Sequence, residues 1–212
     1  TTKNVGLAEG STCFLLERGR EGFSIGRIHD KMGERLANNA ELIFQDCFIP
    51  DENVVGEVGN GFNVLAKFFP QSNAYAGASV LGVAEACYNK SVEWAKIRVQ
   101  GGKPIIEHDG IRAQLAEMRM LIDASRSYIH RACYLADHQE AGWDKTLGVL
   151  PKTMASQAAW KIATWCLEIH GGHGYMKEFG VAKLVRDAAC FLHSDGVNRT
   201  LFLKAANFIF EE

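Results

Sequence analysis

Glu168–Asp187 reads E-I-H-G-G-H-G-Y-M-K-E-F-G-V-A-K-L-V-R-D, and within it Gly171, Gly172 and Gly174 interrupt a strongly helical pattern. Glycine carries no Cβ, so it accepts positive φ and lets another group approach the backbone closely. Lys183, Arg186 and Asp187 then return on a short helical turn. A glycine break backed by charged groups is suited to form one wall of a cofactor site.

Working upstream, Leu147, Met154, Ala158, Ile162 and Trp165 predict a helix over 145–169 that ends at the glycines. Ile111, Leu115, Met118 and Ile122 repeat on one face and predict another helix, continuing to His138. A third starts with Asn60 as cap, runs through Phe62, Leu65 and Phe69, and ends near Arg98, with Pro70 expected to kink or restart it. Small residues dominate Ala74 to Ala86, giving a face that a neighbouring helix or a flat ligand can approach. Short closing helices are expected over 178–190 and 196–210. Long helices with short connections predict a mainly α fold, an antiparallel four-helix bundle spanning 58–212.

Residues 1–57 differ in kind. The runs Cys13–Leu16, Phe23–Ile25 and Leu42–Ile49 are separated by Gly10, Gly22, Gly33 and the Pro50-Asp51-Glu52-Asn53 turn cluster, which predicts a small antiparallel β segment. So few strands leave open edges and cannot cover a core alone, so a partner surface or further strands are expected. The chain opens on Thr1 and enters strand-like sequence at once, as a piece of something longer would.

Composition narrows the class. The chain has 212 residues, 47% of them apolar, with 23 basic against 25 acidic side chains and a net charge of -2. That balance gives no broad attraction to nucleic acid, and no apolar run is long enough to span a bilayer. No targeting segment is visible, and a cytoplasmic location is expected, or the mitochondrial matrix in a eukaryote. The six cysteines lie scattered without a C-x-x-C pair and read as reduced core residues. His170-x-x-His173 has metal-like residues, but the intervening glycines remove the helical face a metal pair needs, so no metal site is expected.

Glu168, Gly171, Gly172, Gly174, Tyr175, Glu178, Lys183 and Asp187 together resemble the C-terminal signature of the acyl-CoA dehydrogenase family, and the resemblance extends over nearly the whole chain. It implies the end of the family's middle β-domain over 1–57, then the C-terminal helical bundle. It further implies FAD as cofactor, an acyl-CoA substrate, an electron-transferring flavoprotein as redox partner, and a homo-oligomer. Arg98-Val-Gln-Gly-Gly-Lys-Pro resembles the family segment whose arginine reaches the FAD diphosphate of a neighbouring subunit, although Gly101 stands where the family has phenylalanine. From spacing alone this segment is a helix C-cap, a flexible loop and a proline restart. Glu168, Gly171, Gly172 and Gly196 are the further cofactor-binding candidates implied.

In His193-Ser194-Asp195-Gly196 the resemblance places Asp195 on the family's catalytic carboxylate, the base that takes the α-proton while flavin takes the β-hydride. Aspartate is shorter than glutamate by one methylene, about 1.5 Å of reach, so backbone or substrate must move to compensate. Read without the family, Asp195 is an N-cap for the last helix. His193 is placed to tune it electrostatically. Ser72-Asn73 stands where many members carry an acidic residue and arginine, so the alternative base position of some branches lacks its carboxylate. Competing readings are a flavoprotein oxidase of the same fold, such as one acting on nitroalkanes, and a non-catalytic helical assembly module.

Overall fold

The computed structural model describes residues 5–210, with positions 70, 71 and 140 described in backbone alone. The chain divides into two compact units, one formed by residues up to Lys31 with Arg35–Phe69, the other by Met32–Glu34 with the residues from Pro70 onward.

The first unit opens with a single turn, α1 (Leu7–Gly10), followed by β1 (Cys13–Phe14), β2 (Phe23–Ile28), β3 (Ala40–Phe44) and β4 (Val54–Val55). β2 and β3 pair antiparallel, with Phe23 opposite Phe44 and Ile25 opposite Leu42, and the register shifts before Ile28 meets Ala40. β1 pairs with β4, a strand the sequence reading did not contain. The run expected to continue to Ile49 stops at Phe44 because Asp46 takes a φ of 48°, which no strand accommodates. Ile25 and Leu42 remain 50% and 59% exposed, so this hairpin buries too little to hold itself together.

α2 runs from Gly61 to Ile97, and Asn60 precedes it as expected, its side chain receiving a hydrogen bond from Asn63 at 2.6 Å. The helix does not restart at Pro70: proline removes one N–H from the ladder, which a 37-residue helix survives. In the second unit β5 (Val99–Gln100) and β6 (Lys103–Pro104) form a tight hairpin before α3 (Asp109–Asp137). Two single-turn 3-10 segments lead to α4 (Leu150–His170), then come α5 (Gly172–Tyr175), α6 (Val181–Cys190) and α7 (Asn198–Phe210). Among the described residues no helix is long and apolar enough to cross a membrane.

Contacts set the helix directions. Glu85 of α2 pairs with Arg126 of α3, and Glu117 of α3 with Lys161 of α4, while Ala132 and Leu135 of α3 meet Leu147 just before α4. α3 is therefore antiparallel to α4, and α2 runs with α4, since Gly77 adjoins Lys152 and Trp94 adjoins His170. The core is Val80, Ala84 and Cys87 from α2, Met118 and Ile122 from α3, Ala159, Ile162 and Cys166 from α4, and Val181 and Ala188 from α6. The expected mainly α bundle with a small antiparallel β segment is the observed fold. Of the cysteines, however, only Cys87 and Cys166 are buried, and Cys133 is exposed on the outward side of α3.

α6 also fastens the Met32–Glu34 segment. The buried Asp187 carboxylate accepts the Glu34 N–H at 2.8 Å and pairs with Lys183, while Arg186 Nε donates to the Met32 carbonyl at 3.1 Å. Lys183, Arg186 and Asp187 are thus spent on a backbone latch, not on a cofactor wall. At the centre, Ile162 is 0% exposed, so Ile162→Ala leaves a cavity and should cost about 2–5 kcal/mol. Urea unfolding should show a lowered midpoint at constant slope, and a loss below about 1 kcal/mol would contradict this packing.

Candidate functional site

The sequence-predicted residues gather at the two ends of α4. At its C-terminal end Gly171 has φ 57° and ψ -137°, a conformation open to glycine alone, and its N–H closes the helix on the Glu168 carbonyl at 3.0 Å. Of the three glycines only Gly171 has positive φ. Gly174 serves close packing instead, since a Cβ there would stand 2.9 Å from His170 Cβ and 3.0 Å from the Leu167 carbonyl oxygen. Glu168, Gly171 and Gly172 are exposed, and no atom lies within 4 Å of where a Cβ on either Gly171 or Gly172 would stand.

The end of α2 adjoins this turn through an aromatic cluster. Trp94 stacks on His170 at 5.2 Å, lies 4.9 Å from His173 and meets Phe179 edge-on. His170 Nδ1 donates to the Cys166 carbonyl at 2.8 Å, so this histidine lines a pocket and satisfies a local hydrogen bond at once. A surface cleft of about 240 Å³ runs beside them, lined by Lys90, Glu93, Trp94, Ile97, His170 and Phe179. One turn beyond Trp94 stands Arg98, half-buried, its guanidinium bonded to no described side chain and its N–H donating to the Trp94 carbonyl at 2.9 Å.

Arg98 is followed by a hairpin, not by the flexible loop and restart that spacing suggested. Gly101 and Gly102 have φ of 61° and 80°, the positive pair that a two-residue turn between antiparallel strands requires. His108 Nε2 donates to the Gln100 carbonyl at 3.0 Å, and its ring would stand 3.3 Å from a Cβ at Gly101.

At the N-terminal end of α4 the chemistry is different. Lys152 is 0% exposed, and its Nζ donates to the Gly196 carbonyl at 2.7 Å and to Asn198 Oδ1 at 3.0 Å. Asn198 Nδ2 in turn donates to Ser156 Oγ at 2.9 Å. The Asn198 N–H reaches the Leu192 carbonyl at 3.2 Å and closes a loop in which Asp195 has φ 52° and Gly196 φ 96°. α7 begins only at Asn198, so Asp195 is not its cap. Its carboxylate is exposed and bonded to no described group, and His193, two positions earlier, is exposed as well.

Burial pushes the Lys152 ammonium below its ordinary value, and the Asp195 carboxylate, then Cys190, work in the opposite direction. Asn73 is a buried brace between elements, Nδ2 donating to the Gly148 carbonyl at 2.8 Å, and carries no base. Among the described residues no group of three or more His, Cys, Asp or Glu side chains converges.

Lys152 and His170 are separated along α4 by about 27 Å at ~1.5 Å per residue. Asp195 and Gly196 belong to the Lys152 end; Arg98, Glu168, Gly171 and Gly172 belong to the His170 end. Sequence reasoning missed Lys152, Trp94 and Asn198. For Lys152 a signal existed: it falls at helical spacing with Ala155, Ser156, Ala159 and Ala163, a stripe of small residues that only a buried face explains.

Residues 59–208 match the family described as acyl-CoA dehydrogenase, C-terminal domain. The chain belongs to the acyl-CoA dehydrogenase family. It is 37% identical over 190 residues to a short-chain-specific acyl-CoA dehydrogenase of Megasphaera elsdenii, covering 89% of this chain and 49% of the relative. It is 34% identical over all 212 residues to a cyclohexane-1-carbonyl-CoA dehydrogenase of Syntrophus aciditrophicus strain SB, of which it covers 54%. The solved butyryl-CoA dehydrogenase of M. elsdenii superimposes with a TM-score of 0.92 at 34% identity, covering 96% of this chain and 53% of that one. The chain thus spans about half the length of the curated relatives it matches.

Within this acyl-CoA dehydrogenase domain, two substitutions follow from the geometry. Gly101→Phe puts a side chain at positive φ against the His108 ring and should destabilise the protein by about 1–2 kcal/mol, read from the thermal midpoint; an unchanged midpoint would contradict the turn. For Lys152, the unfolded chain holds its proton up to about 10.5 while the folded chain releases it earlier, so stability should rise with pH below that value. The difference in unfolding free energy between wild type and Lys152→Met should therefore grow from neutrality toward pH 10.5, and a flat difference would contradict the burial.

Proposed function

We propose that this chain is part of an FAD-dependent acyl-CoA dehydrogenase that forms the α,β double bond of an acyl-CoA thioester, with Asp195 as the base. On this reading residues 1–57 are the end of a β-domain and 58–212 the helical domain. The observation that carries it is the Asp195 loop: a carboxylate bonded to no described group, on a backbone held in a positive-φ turn by a buried cation. A base needs an accessible carboxylate in a fixed direction, and a pinned turn supplies both. Asp195 would take the α-proton as that C–H bond breaks, leaving its electron pair on the substrate to form the new double bond.

The donor set at the other end suits a flavin dinucleotide. The Arg98 guanidinium, bonded to no described side chain, offers a diphosphate a charge-assisted contact, and the unobstructed backbone of Gly171 and Gly172 lets a ligand lie directly against it. FAD, when bound, supplies the acceptor for the β-hydride. Arg98, Glu168, Gly171 and Gly172 would hold it at one end and Gly196 at the other. Because about 27 Å of helix separates these ends, a second copy of the chain is the natural source of the complementary set. A homo-oligomer follows, reoxidised by an electron-transferring flavoprotein in the cytoplasm or the mitochondrial matrix.

Asp195→Asn should leave fold and FAD binding intact and lower kcat about 10²–10⁴-fold in an anaerobic assay that follows flavin bleaching by acyl-CoA thioesters. Turnover at the wild-type rate would remove Asp195 from the base role. Arg98→Ala should weaken FAD retention about 10–100-fold by equilibrium dialysis. Unchanged affinity would count against its diphosphate contact.

A further inference from the structure

Lys152 is a cation with no exposure, and among the described residues no carboxylate is a hydrogen-bond partner of its Nζ. Burying an ammonium carries a large desolvation cost, and a methionine of similar length would fill the same space without it. What the charge obtains is specific: the Gly196 carbonyl at 2.7 Å and Asn198 Oδ1 at 3.0 Å, both in the segment that follows Asp195. Ser156, one turn along α4, completes the grip by accepting from Asn198 Nδ2 at 2.9 Å, and its hydroxyl in turn donates to the Thr153 carbonyl at 3.1 Å. Gly196 is held on its other side too, since a Cβ there would stand 2.8 Å from Leu201 Cδ2.

The turn so held places Asp195 and Gly196 together at positive φ, a region less favourable for a residue that carries a Cβ. Asp195 has φ 52° and Gly196 φ 96°, and for a residue with a Cβ that region costs about 1–2 kcal/mol. A side chain shortened by one methylene has less freedom to search for its target, so the direction of its backbone matters more. Resting on the reading of Asp195 as base, we propose that Lys152 is a positioning residue: by gripping the Gly196 carbonyl and the Asn198 side chain it fixes the turn from which Asp195 reaches the α-carbon. Lys152 acts through the loop and does not touch substrate.

The test is Lys152→Met in the intact protein, read by hydrogen exchange and by kinetics side by side with Asp195→Asn. Exchange of the loop and α7 amides bonded to Leu192 and Val197 should speed up about tenfold or more, while the amides of α3 between Met118 and Ile129 keep their protection. kcat should fall at least about tenfold with KM little changed, and the isotope effect on an α-deuterated thioester should rise as proton removal becomes limiting. Unchanged loop exchange together with unchanged kcat would overturn the proposal, as would protection lost equally throughout the bundle, which marks a purely structural lysine. If Asp195→Asn turns over normally, the base assignment fails by itself; if Asp195→Asn is inactive and Lys152→Met is not impaired, only the positioning role fails. Should Lys152→Met not fold, Asn198→Ala keeps the cation and removes one acceptor. The same local change, smaller in size, is then expected, and its absence would overturn the proposal.

Discussion

Close approach of α2 to α4 is the constraint from which the rest follows. At Gly77 a Cβ would stand 3.3 Å from Lys152 Cα and from Ile129 Cγ1, so two helix backbones and a third helix's side chain meet closely enough that any larger residue would have to displace a neighbour by a few tenths of an ångström. Lys152, on the α4 side of this contact, is buried, and its ammonium finds acceptors in the loop before α7. The same parallel register carries Trp94 to His170, with Arg98 one helical turn further along α2. A larger residue at position 77 would therefore act on both ends of the bundle together.

α4 is the rigid element that keeps those ends apart. It packs against α3, α6 and α7, with Ala159, Ile162 and Cys166 fully enclosed, so its length is fixed by the core and not by the ligand. One end offers a cation bonded to no described side chain and bare backbone; the other offers a carboxylate on a pinned turn. The separation turns a list of motifs into a statement about assembly: within one copy, the two sets of groups face different neighbourhoods.

Much of this was legible in the residues. Ile111, Leu115, Met118 and Ile122 gave α3 because side chains at that spacing share one face, and the Ala74–Ala86 run announced a close helix contact before its partner was known. The glycine triplet was read correctly as a break, but position alone could not separate Gly171, which needs its backbone angle, from Gly174, which needs its missing Cβ. Lys183, Arg186 and Asp187 looked like ligand groups because charge at helical spacing is ambiguous until a partner appears, and the partner was the distant backbone at Met32–Glu34. Asp195 looked like a cap because Asp-Gly before an apolar run commonly is one; the helix starts later because Asn198 is drawn into the Lys152 network. Arg98 and Asp195 kept their places as candidates, and what sequence could not supply was the distance between them.

On the proposed reading, one working site draws Asp195 from one copy and Arg98 from another. Co-refolding an Asp195→Asn protein with an Arg98→Ala protein tests it directly, since each mixed pair regains one site with both residues intact. If that holds, then at an FAD concentration too low to load the Arg98→Ala protein, flavin bleaching by an acyl-CoA thioester should return to about a quarter of the wild-type level for random pairing. No recovery above the sum of the separately refolded variants, in assemblies shown to be mixed, would contradict it.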